Sequence, residues 1–434
     1  MVANFGDFDR TKSGINRRAR ILNPVSGAGR MGDDGTPRAS VVIQWPRLGP
    51  YYKARSSAAF YELTAAGIKV VVLETASLDD TYAWEKDDGA TPFERFVVLP
   101  GKIYERISLM ESWRGMRTLL ERINPLVVFI HGYSTYDAWS ALAWCKLHNR
   151  PAILMSDSKY DDTERVWWKE WLKGKVVGQF KAALIAGSLQ RIYMEELGMR
   201  PERIFDGFDA VDNDFFWEGA ERARRNPVNY RSLAGLESPV PFFLASARFV
   251  KLKNLDGLLR AYAQYRRVMT ATSERIPPWR LVILGDGAER KALEHLVHSE
   301  GIQGASFPGF LQIGELPIYY GLARVFVHPA FKDTWGLVVN EAMAAGLPVL
   351  VSKRCGCAPD LVSEGANGYT FAPDDLSTMT DLMVRVSSGH VDLQSMSIAS
   401  RNLIKEWGLK RFVQGLIGAL QVALQEERVI LKFR

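Results

Sequence analysis

The chain has 434 residues, 47% hydrophobic and 24% charged, with 36 glycines and 20 prolines. At roughly 150 residues per domain this is material for two large domains or three smaller ones, and the balance excludes collagenous, coiled-coil and wholly disordered chains. No run of 18 apolar residues occurs and the first 40 residues lack an apolar signal core, so the sequence predicts a cytoplasmic protein with neither a spanning helix nor a secretory leader.

The formal net charge of +6 favours anionic partners: nucleic acid, phosphorylated small molecules or acidic membrane surfaces. The three cysteines, Cys145, Cys355 and Cys357, are too few for a disulfide framework. A lone Cys-x-Cys pair also lacks the third and fourth ligands of a structural zinc site, so all three are read as reduced.

Residues 1–37 read as a disordered polar tail, with a basic spot at Arg17, Arg18 and Arg20. Apolar runs then alternate with helix-period segments. Strands are expected at 41–45, 69–74, 96–99, 126–130, 152–155 and 183–187, with helices between them near 51–66, up to Ile123, 137–147, 164–180 and up to Leu197. Continuous valine and isoleucine runs indicate strands buried on both faces, hence a parallel sheet wrapped by helices. A polar segment at 217–239 reads as a linker. The alternation restarts at 242–247, 281–285, 324–329 and 348–352, with helices from Asn254, Ala288 and Gly336.

The fold class is therefore α/β, with two doubly wound Rossmann-like lobes facing a cleft. The expected division is an N-terminal domain at 38–216 and a second domain at 240–409. A final helix within 410–434 is expected to pack back on the first domain. Ligands of such sheets sit beyond the carboxyl ends of the strands.

Several segments at those ends carry chemistry. Arg248 and Lys253 follow one strand just before a helix N-terminus, an arrangement that suits a diphosphate but equally a solvated loop. Gly285-Asp286-Gly287 is a turn able to bring backbone close to a ligand, or simply a tight strand-to-helix turn. Asp333 and Glu341 flank the start of a helix near Gly336. Because carboxylates there would repel phosphate, their functional role is to accept hydrogen bonds from hydroxyls.

These residues resemble the retaining glycosyltransferases of family 4, which have the GT-B fold. The resemblance runs from about Phe242 to Asp375: Ala247-Arg248 with Lys253-Asn254, Gly285-Asp286-Gly287, Phe307-Pro308-Gly309-Phe310, Asp333 to Pro348, and Gly365-Ala366-Asn367-Gly368-Tyr369. A looser match in the first lobe rests on Gly198, Arg203-Ile204 and Val211-Asp212.

The resemblance implies that Arg248 and Lys253 bind the donor diphosphate and Glu341 the ribose hydroxyls. It places Gly309 and Phe310 at the base, and Thr334, Trp335, Gly336 and Leu337 around the phosphate and sugar. Gly285, Asp286, Gly287 and Gly49 would be loop positions near the donor. Asp333 replaces the first of two glutamates usually seven residues apart, a carboxylate one methylene shorter. His131 resembles a family histidine near the transferred sugar, and equally fits a buried histidine ending a strand.

The activity so implied is hexosyl transfer from a nucleotide-diphosphate sugar, a UDP-sugar by preference, to a glycan or lipid-linked acceptor in polysaccharide or glycoconjugate synthesis. The resemblance implies no metal or other cofactor and no nucleic-acid partner. A sugar-nucleotide epimerase and a weakened nucleotide-sugar-binding subunit remain alternatives.

Other signals have plain explanations. Asp212-Asn213-Asp214 resembles a metal triplet but sits at the lobe exit. His295 and His298 lie one helical turn apart with no third ligand in sequence. Ser156-Asp157-Ser158 fits an acceptor contact or a helix cap. Trp167, Trp168 and Trp171 with Lys169, Lys173 and Lys175 read either as a peripheral contact with an anionic membrane or as a core face.

Overall fold

The computed structural model describes residues 39–81, 83–85, 89–236, 239–272 and 277–425. The tail at 1–37, with Arg17, Arg18 and Arg20, lies outside them. The first lobe begins β1 (Ala39–Trp45), α1 (Pro50–Ala65), β2 (Ile68–Leu78), β3 (Glu94–Ile103), α2 (Leu109–Ile123), β4 (Val127–His131) and α3 (Tyr136–Leu147). It continues β5 (Ala152–Ser156), α4 (Trp167–Val177), β6 (Ala182–Ile185), α5 (Ser188–Glu196) and β7 (Ile204–Asp206). Its strands stand in the order β3-β2-β1-β4-β5-β6-β7, all pairs parallel.

Alternation along each strand feeds two cores. Val41 and Ile43 join one cluster while Val42 joins the other, and Ala182 and Leu184 part from Ala183 and Ile185 in the same way. Both faces are thus buried, which is why the runs are continuously apolar.

The polar stretch at 217–239 contains much of two helices and is not an unstructured linker. α6 (Asn213–Arg225) and α7 (Pro227–Leu233) fill most of it. The Asp212 carboxylate accepts from the Phe215 amide at 3.1 Å and caps α6, while the Asn213 amide donates to the Ile404 carbonyl at 2.7 Å. The Asp-x-Asp triplet is therefore structural. Phe216, Ala220 and Ala223 pack with Leu316 and Tyr320 of the second lobe; the segment's polarity belongs to the exposed face of an amphipathic helix.

The second lobe runs β8 (Phe242–Ser246), α8 (Leu255–Thr272), β9 (Arg280–Leu284), α9 (Arg290–Ser299), β10 (Ala305–Gly309), α10 (Leu316–Leu322) and β11 (Val325–His328). It ends α11 (Leu337–Ala344), β12 (Val349–Ser352), α12 (Ala358–Leu361), β13 (Gly368–Phe371), α13 (Leu376–Ser387) and α14 (Leu393–Ile404). The strand order is β10-β9-β8-β11-β12-β13, again parallel throughout.

The last helix, α15 (Leu409–Gln425), returns to the first lobe, where Phe412, Leu416 and Leu420 share a core with Val41 and Leu184. It presses close enough that a Cβ on Gly415 would lie 2.2 Å from the Asp206 carbonyl, so only glycine fits there. In each sheet the strand order reverses beside the first strand, between β1 and β4 and between β8 and β11. Those two switch points are where a doubly wound sheet opens a crevice for ligand.

Candidate active site in the interlobe cleft

A cleft of about 790 Å³ lies at the two switch points. Arg248, Lys253, Gly285, Asp286, Gly287, Phe310, Asp333, Thr334, Trp335, Gly336, Leu337 and Glu341 line it from the second lobe, and Gly49 and His131 from the first. Of the site residues proposed from sequence only Gly309, the last residue of β10, is not among the lining residues. The two lobes thus bring together groups that lie nearly 300 positions apart in the chain.

Gly285 makes the loop packing beneath Arg248 feasible. Its φ is +123°, and a Cβ there would lie 1.9 Å from the Ala247 carbonyl. The Phe249 amide donates to the Asp286 carbonyl at 2.8 Å, so the two loops are laced side by side. The turn therefore has a structural role and also faces the cleft.

Lys253 Nζ donates to Asp333 Oδ2 at 2.5 Å, and His328 Nε2 lies 2.8 Å from the same oxygen. Burial would raise the Asp333 pKa, but the charge of Lys253 and the bond and charge of His328 together outweigh it and hold the carboxyl well below its usual range. His328 answers in the opposite sense. Burial disfavours its cation, yet its bonds to Asp333 and Cys355 lift its pKa to about 9. An ammonium, an imidazolium and a carboxylate thus lie together on the floor of the cleft, with one positive charge in excess.

The loop from Asp333 to Gly336 is pinned from behind. The Gly356 and Cys357 amides donate to the Asp333 and Trp335 carbonyls at 3.1 and 2.9 Å, and Trp335 Nε1 donates to Asn340 Oδ1 at 2.9 Å. Of the first amides of α11, Val339 donates to the Gly336 carbonyl at 2.8 Å, while Leu337 and Val338 line the cleft at the end of a helix where amides lack intrahelical partners and suit an anion.

Glu341 is 1% exposed. Burial raises its pKa to about 7 against the opposing bonds from Tyr51 and Tyr320, whose hydroxyls donate to its two oxygens at 2.6 and 2.7 Å.

On the facing wall, His131 Nε2 lies 3.2 Å from Tyr52 Oη, and its backbone amide donates to Gln44 Oε1 at 2.9 Å. Burial lowers the His131 pKa despite the nearby Asp157 and Asp137 carboxylates, so the ring is neutral. Thr334 Oγ1 donates across the cleft to Asp157 Oδ2 at 2.7 Å, which turns Asp157 from a helix-cap candidate into an interlobe contact.

Sequence reading missed Tyr51, Tyr52, Arg55, Asp209 and His328, all of which line the cleft. Two signals were available. Tyr51 and Arg55 stand four apart on the first turns of α1, hence on one face, and His328 ends a strand as His131 does.

The tryptophans of α4 do not form a core face. Trp167, Trp168 and Trp171 are 81%, 47% and 58% exposed, and only Val177 of that helix is buried. Lys169 and Lys175 lie over the Trp168 and Trp171 rings at 5.5 and 5.4 Å.

Residues 231–402, the second lobe, match the family described as Glycosyl transferases group 1. The solved structure of Anabaena HepE in complex with UDP and glucose superposes with a TM-score of 0.66 at 15% identity, covering 88% of this chain and 100% of that one, and shares the two-lobed GT-B fold. Among curated proteins, sulfoquinovosyl transferase SQD2 of Arabidopsis thaliana is 38% identical over 112 residues, 25% of this chain and 21% of its own length. The alpha-monoglucosyldiacylglycerol synthase of Acholeplasma laidlawii is 30% identical over 126 residues, 29% of this chain and 30% of its own length. The chain thus spans less than a third of either curated relative.

Proposed function

We propose that the protein is a retaining glycosyltransferase that moves a hexosyl group from a nucleotide-diphosphate sugar, a UDP-sugar by preference, to a hydroxyl of a lipid-linked or glycan acceptor. The observation that carries this reading is the convergence of Arg248, Lys253, the first amides of α11 and the buried Glu341 on one cleft. It offers cations and N–H dipoles for a diphosphate, and beside them a carboxylate for a ribose.

As the glycosidic bond breaks, negative charge grows on the leaving diphosphate. Arg248, Lys253 and the α11 amides stabilise it from fixed positions, an interaction stronger in the transition state than in the bound donor. Asp333, one methylene short of glutamate, is held by Lys253 and His328 and orients the ammonium toward the phosphates. The resemblance to family 4 implies same-face attack, with a donor phosphate oxygen taking the acceptor proton.

Two observations favour a lipid-linked acceptor. Relatives of the chain include an alpha-monoglucosyldiacylglycerol synthase, and the exposed tryptophan and lysine face of α4 has the composition of a helix lying in a bilayer interface. Among the described residues no helix is long and apolar enough to cross a membrane, so that face supports attachment at the surface.

The test is to incubate purified protein with UDP-, GDP- and ADP-sugars separately, reading the melting temperature and slow release of nucleoside diphosphate. One donor should stabilise the protein and be hydrolysed slowly, and Lys253→Met should cut the rate by about 10²-fold or more. Absence of a shift with every nucleotide sugar would refute the donor assignment.

A further inference from the structure

Behind the donor loop lies a constellation that shares Asp333 and His328 with the donor site and adds two cysteines that sugar transfer does not use. His328 ends β11, Asp333 follows on the next loop, and Cys355 and Cys357 come after β12. One ligand atom each from His328, Asp333 and Cys355 lies within 4.8 Å of the others, and the Cys357 sulfur is 3.5 Å from that of Cys355. The third and fourth ligands that the Cys-x-Cys pair lacks in sequence are supplied by the fold. We propose that these four side chains form a binding site for a thiophilic divalent cation of the zinc class.

The donor set is two sulfurs, one imidazole nitrogen and one carboxylate oxygen, the combination that selects zinc-like ions over magnesium or calcium. Bond lengths of about 2.3 Å to sulfur and about 2.0–2.1 Å to nitrogen place neighbouring ligand atoms of a tetrahedron about 3.3–3.8 Å apart. The sulfur pair already meets that spacing. The 2.8 Å contact between His328 and Asp333 needs to open by a fraction of an ångström.

Room for the ion comes from Gly336. Its φ is +100°, and a Cβ there would lie 2.5 Å from the Cys355 sulfur, 3.6 Å from the Cys357 sulfur and 3.7 Å from His328 Nε2. Three of the four ligand atoms therefore face the point that a side chain at 336 would occupy. Both cysteines are fully buried and His328 is 1% exposed, while the Asp333 side chain is 14% exposed. His328 and Asp333 also line the cleft, which provides the way in.

Binding is an exchange of protons for metal. Each thiol releases its proton as its sulfur takes the ion, Cys355 giving up its bond to the Trp335 carbonyl; His328 releases the Nε2 proton it shares with Asp333, and Asp333 turns one oxygen from Lys253 to the cation. The inference needs no nucleotide, and because it shares Asp333 with the donor reading its test is made without donor.

The test uses the full-length reduced protein without donor, titrated anaerobically with cobalt(II) and then zinc(II). One cobalt per chain should bind with the near-ultraviolet sulfur-to-metal charge-transfer band and the visible bands of a tetrahedral thiolate site, and zinc should displace it. Cys355→Ser should weaken binding by about 100-fold or more, while Cys145→Ser leaves it unchanged.

In case a cysteine variant fails to fold, alkylation of the wild-type protein is followed by peptide mass spectrometry. Zinc should protect Cys355 and Cys357 by at least about tenfold relative to Cys145. The proposal is overturned if cobalt gives no thiolate band, if the band survives in folded Cys355→Ser, or if zinc leaves the labelling ratio unchanged.

Discussion

The hydroxyl of Tyr51, on the first lobe's opening helix, donates to Glu341 Oε1 of the second lobe at 2.6 Å, and this bond crosses the cleft at the place assigned to the donor ribose. Since Tyr320 holds the other oxygen at 2.7 Å, a ribose can engage Glu341 most readily by displacing Tyr51. Donor binding and the relative position of the lobes are thereby linked.

Tyr51→Phe removes a competing hydrogen bond whose net contribution is about 0.5–1.5 kcal/mol. The variant should bind the preferred nucleotide sugar about 2–10-fold more tightly in calorimetry, whereas Glu341→Ala should bind it at least about tenfold more weakly. Weaker binding in Tyr51→Phe would show that the phenol helps to hold the donor, contrary to the exchange described.

The Glu341 carboxyl also predicts a pH dependence. Its folded pKa of about 7 exceeds the ordinary 4.5, so the stability it contributes is fully present below pH 4.5 and is lost as pH rises through about 7. The difference amounts to about 3 kcal/mol. Asp209, also lifted to about 7 by burial despite Arg55, acts in the same sense, so the measurement is the difference between proteins. Thermal melts between about pH 5 and about pH 8 should show a steeper decline for wild type than for Glu341→Gln. Parallel curves would refute the assignment.

Arg55 is fully buried, with Nη2 3.1 Å from Asp209 Oδ1 and Nε donating to the Ala210 carbonyl at 2.9 Å. Arg55→Met should cost about 1–3 kcal/mol by leaving Asp209 and the Ala210 carbonyl without their buried donor. Adding Asp209→Asn should recover part of that loss in urea unfolding. If the double variant is as unstable as the sum of the two single variants, the pair is not the source of the loss.

For the α4 surface, sedimentation with phosphatidylglycerol vesicles should retain wild-type protein. Replacing Trp167 and Trp171 together by alanine should lower that partitioning by about tenfold or more. Both rings are more than half exposed, so the melting temperature should hardly change. Equal partitioning of variant and wild type would remove α4 as the membrane contact.

The two-lobed architecture was legible because parallel strands buried on both faces must be written as unbroken apolar runs, as in Val41-Val42-Ile43. The second lobe's donor motifs were legible because their residues lie on loops that follow such strands. The short strand β7 carries too few apolar residues to stand out, and α6 looked like linker because its buried face is mostly alanine and glycine. On α4 the ambiguity was physical: tryptophan and valine at helical spacing suit a core and a bilayer interface alike, and only packing shows which side meets protein.

The sequence by itself determined the layering of the sheets, the strand ends at which ligands gather, and the charge types placed there, since these depend on local periodicity and on turn chemistry. Tertiary structure decided which distant groups meet. Tyr51 reaches Glu341, Asp157 reaches Thr334, and His328 joins Asp333 with Cys355 and Cys357 only because two sheets face each other and adjacent parallel strands deliver their following loops to one edge. Contacts of that kind arise from register and lobe packing across long separations in the chain, so no local pattern of residues encodes them.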